Sequence, residues 1–222
     1  HPNQLSIVNA YINNVKQNGF EDATLLCGSN AACNTLTSIV RPALGFNKSL
    51  LEVGELLLIT QNNNTTRLMN GDLVKVISTE RRVRRAGLTF LQVEVEEMVS
   101  KQTFSLLLIE DILYGNMTNL TQDSQKALFI DFYRRMKEQH IKPKTEDFKD
   151  AMFNDPYLNA LRAVYGYALT CHKAQGGEWK DVYLDIPRHL SHSPKRSVYQ
   201  WLYTAMTRAS NRLHVADDFF IG

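Results

Sequence analysis

The sequence predicts an α/β protein: a parallel sheet with flanking helices, interrupted by a small β-barrel. Three observations carry this. Residues 5–44 read as helix, strand, polar turn and helix, which is half of an α/β repeat. Residues 51–113 change to closely spaced strands with hairpin chemistry and no helix. Two apolar runs then bracket a polar, glycine-containing connection over Tyr167–Ile186, and a last helix and strand follow.

Each element has a local reason. Over 5–18, Leu5, Val8, Tyr11, Ile12 and Val15 recur at helical spacing and form one apolar face, and Gly19 is the stop. Ala23–Cys27 is a short apolar strand. Ser29 or Asn30 suits the cap of a helix running to about Leu44, with Leu36, Ile39 and Val40 inward. In the β module, 55–60, 73–78, 88–99 and 103–109 are strand-like, and Asn70-Gly71 is a turn signal. The basic run Arg81–Arg85 falls at an expected hairpin tip, where it serves either as a phosphate contact or as a solvated edge. Residues 121–140 read as a helix ended by Pro143, and a weaker helix spans 145–164. Pro187–Pro194 reads as a loop, 195–210 as a helix, and Leu213–Ala216 as the last strand.

Composition excludes several classes. With 44% hydrophobic and 22% charged residues, the 222-residue chain can bury an ordinary core. The net charge of +2 neither requires nor forbids a polyanionic partner. No apolar run approaches the roughly 20 residues that span a bilayer, and no signal peptide is visible, so a cytoplasmic setting without a membrane partner is expected. Cys27, Cys33 and Cys171 form no disulfide framework. Together with His172 they fit no usual zinc spacing, so no metal site is expected and reduced thiols are.

The chemistry concentrates in two stretches. Thr170, His172 and Lys173 come where a strand ends, and offer hydrogen bonds and a point charge to phosphate oxygens. Gly176-Gly177 admits close approach of backbone N–H groups to a ligand, and Glu178 suits a ribose hydroxyl. In the second stretch, Thr204, Thr207 and Arg208 lie near a helix end. A guanidinium there can reach a terminal phosphate and offset charge that develops in its transfer. Each of these residues taken singly has an ordinary structural use, such as a turn glycine or a surface histidine. Their combination carries the reading. The two stretches are expected to share one ligand-facing edge, since α/β proteins bind ligands at the carboxyl ends of strands.

T-x-H-K-x-Q-G-x-E-W at 170–179 resembles motif V of superfamily 1 helicases, and L-Y-T-A-x-T-R-A at 202–209 resembles motif VI. A-T-L-L-C-x-S-N-x-x-x-x-x-L at 23–36 is similar to the start of the second RecA-like domain of these enzymes. The module with Asn70-Gly71-Asp72, and the His-Lys-x-Gln-Gly form of motif V, resemble the RecD/Dda-like branch, which usually moves 5′ to 3′ on single-stranded DNA. Two departures stand out: Gly177 precedes the Glu where other branches carry an apolar residue, and Leu73-Val74 follows Asn-Gly-Asp in place of a second Gly.

The resemblance implies a RecA-like parallel sheet of the P-loop NTPase type with an inserted SH3-like β-barrel. Its divisions are 1–50 and 114–222 for the RecA-like domain and 51–113 for the barrel. It implies that Thr170, His172, Lys173, Ser29 and Asn30 contact single-stranded DNA. Gln175, Gly176, Gly177, Glu178 and Thr207 serve the nucleotide, and Arg208 is the arginine finger. ATP and Mg²⁺ are the implied cofactors. The sequence has no G-x-x-x-x-G-K-[ST] and no apolar run ending in Asp-Glu, so the phosphate-binding loop and the magnesium ligands are expected from an N-terminal RecA-like domain. The segment alone is then expected to be inactive. A single-strand-binding module without hydrolysis, or a protein-docking domain, are the competing readings.

Overall fold

The chain opens with α1 (Gln4–Asn18), capped by Asn3, whose side chain accepts from the Ser6 N–H while Ser6 answers the Asn3 backbone. The computed structural model describes residues 1–115, 117–187 and 194–217. α1 buries Ile7, Val8, Tyr11, Ile12 and Val15, whereas Leu5, expected inward, is exposed, so the buried stripe is centred on Ile7 and Tyr11. β1 (Ala23–Cys27) follows and is buried at every residue. That pattern suits a central parallel strand covered on both faces. α2 (Asn30–Ala43) turns Leu36 and Val40 inward but leaves Ile39 partly exposed.

A run of strands comes next: β2 (Leu56–Ile59), β3 (Leu73–Arg85), β4 (Leu88–Glu97) and β5 (Thr103–Ile109). Helices α3 (Glu110–Leu113), α4 (Gln122–Glu138) and α5 (Glu146–Asn154) lead to β6 (Ala163–Tyr165). The chain then makes β7 (Leu169–Thr170), β8 (Trp179–Leu184), α6 (Lys195–Met206) and β9 (Ala209–His214). Residues 188–193 of the expected Pro187–Pro194 loop lie outside the described residues.

Two units result. His1–Ser49 with Gly166–Gly222 form one, and Leu50–Tyr165 form the other. The first is a parallel sheet in the order β7-β1-β8-β9. Ala23 pairs with Asp181 and Cys27 with Thr170, which fixes the register and puts the ends of β1 and β7 side by side.

The second unit is an antiparallel sheet in the order β5-β4-β3-β2-β6. Period-two alternation along β4 sends Leu91, Val93 and Val95 to one apolar cluster and Leu88 and Phe90 to another, the latter shared with Leu128 of α4. The expected barrel is not closed. Among the described residues, β5 is joined to the far edge only at Leu161, which forms a single bridge with Leu108. β6, the strand that would seal the gap, is three residues long and is paired with β2. The unit also continues beyond residue 113 through α4, α5 and β6. The weak helix expected over 145–164 ends at Asn154, where Asp155 and Pro156 begin an extended turn.

Within the basic run, Arg81 and Arg84 are exposed, whereas Arg82 and Arg85 are held by acids of the same unit. Arg82 donates to the buried Glu110 carboxylate at 2.8 and 3.0 Å, which raises the guanidinium pKa. Arg85 donates to Asp131 of α4 and lies over the Tyr157 ring at 4.8 Å. Two of its arginines therefore tie β3 to α3 and α4.

Candidate functional site

Both candidate stretches lie in the first unit, and the strand register decides where each residue stands. β1 and β7 end together at Cys27 and Thr170. The turns that leave them carry Ser29 and Asn30 on one side, and Thr170, His172 and Lys173 on the other. These five candidates therefore share the carboxyl edge of the sheet. Ser29 caps α2, its hydroxyl accepting from the Ala32 N–H at 3.1 Å, and Asn30 is exposed on the first helical residue. Gly28 makes this turn compact, since a Cβ there would overlap the Pro187 ring.

From Thr170 the chain winds through a tight turn in which Ala174 N–H donates to Thr170 O at 3.1 Å and Gly177 N–H to Ala174 O at 3.1 Å. Lys173 N–H points at the Thr170 hydroxyl at 3.4 Å, and partial burial lowers the Lys173 ammonium pKa. Gly176 sits at φ +88°, a left-handed conformation that suits glycine. A Cβ on Gly177 would overlap the Trp179 indole, 2.7 Å from Cζ3, so the close approach of that ring requires glycine.

Gly177 and Glu178 have by then reached the opposite edge. Ala23 pairs with Asp181, so Trp179 lies beyond the amino end of β1 and next to Ala209, the first residue of β9. Arg208, immediately before β9, donates from Nη1 to Gly177 O at 3.1 Å, from Nε to Thr204 O at 3.2 Å and from Nη2 to the Thr207 hydroxyl at 3.1 Å. Thr207 in turn donates to Tyr203 O at 2.9 Å. A guanidinium has five N–H donors, and these three bonds leave one hydrogen on each terminal nitrogen. The expectation of one shared edge is thus corrected. The turn 171–178 crosses the sheet, with Thr170 at the carboxyl edge and Gly177, Glu178, Thr207 and Arg208 at the amino edge. β7 and β8 run parallel with only a short connection, and that requires the crossing.

His172, Gln175 and Glu178 are exposed, and their side chains have no hydrogen-bond partner among the described residues. Arg208 with its two spare hydrogens and the open Glu178 carboxylate fit a phosphate and a sugar hydroxyl respectively. No group of three or more His, Cys, Asp or Glu among the described residues is placed to hold a metal.

Sequence reasoning missed a polar network beside this edge. Asp181 is buried and accepts from Arg212 Nε at 2.7 Å, Arg212 Nη2 at 3.0 Å and Asn14 at 3.1 Å, with His214 Nε2 at 3.2 Å. Burial pushes the Asp181 carboxyl up, but the bonds from Arg212, His214 and Asn14 outweigh it and hold the group below the usual carboxylate range. The available signal was an acid next to an apolar run, with Arg212 and His214 two apart on the neighbouring strand. That spacing puts both on one face.

Residues 165–216 match the family model for the UvrD-like helicase C-terminal domain, a span from the end of β6 through β9. An uncharacterised protein of Acanthamoeba polyphaga mimivirus is 29% identical over 119 residues, covering 53% of this chain and 24% of that protein. An uncharacterised protein of Methanocaldococcus jannaschii is 38% identical over 61 residues, covering 28% of this chain and 5% of that protein. The chain therefore spans a quarter or less of the curated relatives it matches. Among solved structures, a Pif1 helicase from Bacteroides in complex with ADP-AlF3 and ssDNA aligns over 96% of this chain and 49% of its own, at 12% identity and a TM-score of 0.46. The Pif1 helicase from Candida albicans aligns over 97% of this chain and 53% of its own, at 12% identity and a TM-score of 0.45.

Proposed function

We propose that this chain is the C-terminal half of a superfamily 1 ATP-dependent DNA helicase, of the RecD/Dda-like branch, acting in the cytoplasm. Its role is to supply part of a single-stranded DNA groove and the arginine-finger wall of an ATP site completed by an N-terminal RecA-like domain. The observation that carries this reading is the bond from Arg208 to Gly177, inside the segment that matches the UvrD-like helicase C-terminal domain. It links two motifs that are 31 residues apart. In this reading Thr170, His172, Lys173, Ser29 and Asn30 hold the DNA backbone at one edge. Gln175, Gly176 and Gly177 connect them to the other edge. There Glu178 takes the ribose, and Arg208, positioned by Thr207, meets the terminal phosphate. Mg²⁺ and ATP, when bound, supply the transferred phosphoryl group and its charge-neutralising ion. The second unit, with its hairpin-rich sheet, takes the place of the SH3-like insertion.

The test uses labelled oligo(dT) and ATP. The chain is expected to bind oligo(dT) with an affinity that falls as salt rises, and His172→Ala is expected to weaken it. The full-length protein is expected to hydrolyse ATP in the presence of oligo(dT), with a loss of about 10³ in rate on Arg208→Ala. Hydrolysis that survives Arg208→Ala would overturn the assignment. DNA binding without hydrolysis by the full-length protein would establish a binding module instead.

A further inference from the structure

The three cysteines take no part in the reading above, yet two of them meet. Cys27, the last residue of β1, is fully buried, and Cys33 is partly buried in the first turns of α2. Their sulfurs are 3.1 Å apart. A disulfide needs about 2.05 Å, so a movement of about 1 Å joins them. The span they enclose is Gly28 to Ala32, the turn that carries Ser29 and Asn30.

The two thiols are unequal. Cys27 is deep in the sheet, where a charge is costly, and its Sγ also faces Ser29 O at 3.5 Å. The hydrogen bond with Cys33 first, and burial second, push the Cys27 thiol up. The same bond holds the Cys33 thiol down, and the amino end of α2 favours a thiolate there as well. Asp185 opposes the charge on both sulfurs. Cys171 follows Thr170, the register partner of Cys27, but burial pushes its thiol up to about 12 and it stays protonated.

We propose that Cys27 and Cys33 form a dithiol that a hydroperoxide oxidises to a disulfide, fixing the Gly28–Ala32 turn. In the first step the Cys33 thiolate attacks one peroxide oxygen. The O–O bond breaks, hydroxide leaves, and Cys33 becomes a sulfenic acid. Cys27 gives its proton to that hydroxide, and its sulfur attacks the Cys33 sulfur. The S–O bond breaks, and the departing hydroxide takes up the proton that Cys33 had released to solvent. Both sulfurs are oxidised, and hydrogen peroxide is reduced to two waters. Partial exposure of Cys33 admits the peroxide, and the attack by Cys27 needs no access from solvent.

The proposal stands independently of the helicase reading and is tested on the reduced chain with hydrogen peroxide. Remaining thiols are alkylated and the peptides mapped by mass. The expected product links Cys27 to Cys33, leaves Cys171 alkylated, and reverts with dithiothreitol. Cys33→Ser should abolish the link and Cys171→Ser should keep it. Cys27→Ser should stop at a Cys33 sulfenic acid that dimedone traps. If Cys27→Ser does not fold, dimedone trapping on the wild-type chain at short times replaces it. Amide hydrogen exchange over 28–33 should slow in the oxidised chain. The dithiol assignment is overturned if Cys27 and Cys33 both remain alkylatable after peroxide treatment, or if the link runs through Cys171. A disulfide that leaves exchange over 28–33 unchanged overturns the fixing of the turn.

Discussion

Arg208 holds the carbonyl of Gly177 at 3.1 Å while bonding Thr204 O and the Thr207 hydroxyl with its other nitrogens. Three anchors from one planar fork fix the guanidinium without using all its hydrogens. Lysine has a single nitrogen and cannot reproduce this geometry. Arg208→Lys is therefore expected to behave like Arg208→Ala in the oligo(dT)-stimulated ATPase of the full-length protein, with a loss of about 10³ and oligo(dT) affinity within about threefold of wild type. Retention of most activity by the lysine variant would show that charge alone suffices and that the fork is not required.

Gly177 is the other half of that contact, and its missing side chain has a separate use. A Cβ would overlap the Trp179 ring. Gly177→Ala is expected to displace the indole and to cost about 1–3 kcal/mol, the usual range for overpacking. Trp201 is the only other tryptophan in the chain, so Trp179 emission can be read in a Trp201→Phe background alongside urea unfolding. Unchanged emission together with unchanged stability would mean that the ring is not packed on Gly177.

Much of this was legible in the sequence, and the failures have physical causes. Ala23–Cys27 read as a strand because a short run, apolar but for Thr24, precedes a Gly-Ser-Asn turn, and the structure keeps those bounds. The expectation that 170–178 and 202–209 share one edge followed from the rule that α/β proteins bind ligands at strand ends. The crossing of the sheet did not, because register is a tertiary property: only the pairings of Ala23 with Asp181 and Trp179 with Ala209 put Gly177 at the amino edge. The open sheet of the second unit was likewise hidden. Strand signals do not say whether the last strand is long enough to seal a barrel, and β6 has three residues. Arg82 and Arg85 looked solvent-facing because their acids, Glu110 and Asp131, are 28 and 46 residues away.

The hairpin between β3 and β4 contains a correctable strain. Arg85 pairs with Leu88, and the two turn residues between them, Ala86 and Gly87, have φ of 49° and 80°. Two positive φ values define the type I′ turn, for which Asn-Gly is favoured. An L-residue other than Gly or Asn pays roughly 1–2 kcal/mol in that region. Ala86→Asn is expected to stabilise the hairpin by about 1 kcal/mol, seen as slower hydrogen exchange of the β3–β4 amides. Ala86→Val should do the opposite, because a β-branched side chain fits that region less well. If the valine variant exchanged no faster than wild type, the left-handed turn would be wrong.

Asp181 sets a pH dependence whose sign can be worked out. Its carboxyl pKa lies below the ordinary value in the folded chain, because the bonds from Arg212, His214 and Asn14 outweigh burial. The unfolded chain takes up that proton near the ordinary carboxylate value of about 3.9. Below that pH the unfolded state binds more protons, so stability falls with acid until the folded pKa is also passed. The contribution is complete above about pH 5. Asp185 acts in the opposite sense, since burial raises its pKa and its ionisation opposes folding as pH rises. The two are separated by difference. The stability of wild type minus that of Asp181→Asn, measured by urea unfolding, is expected to be flat from pH 5 to 7 and to shrink below pH 4. A difference that stayed constant to pH 3 would mean that Asp181 is not held ionised by its three partners.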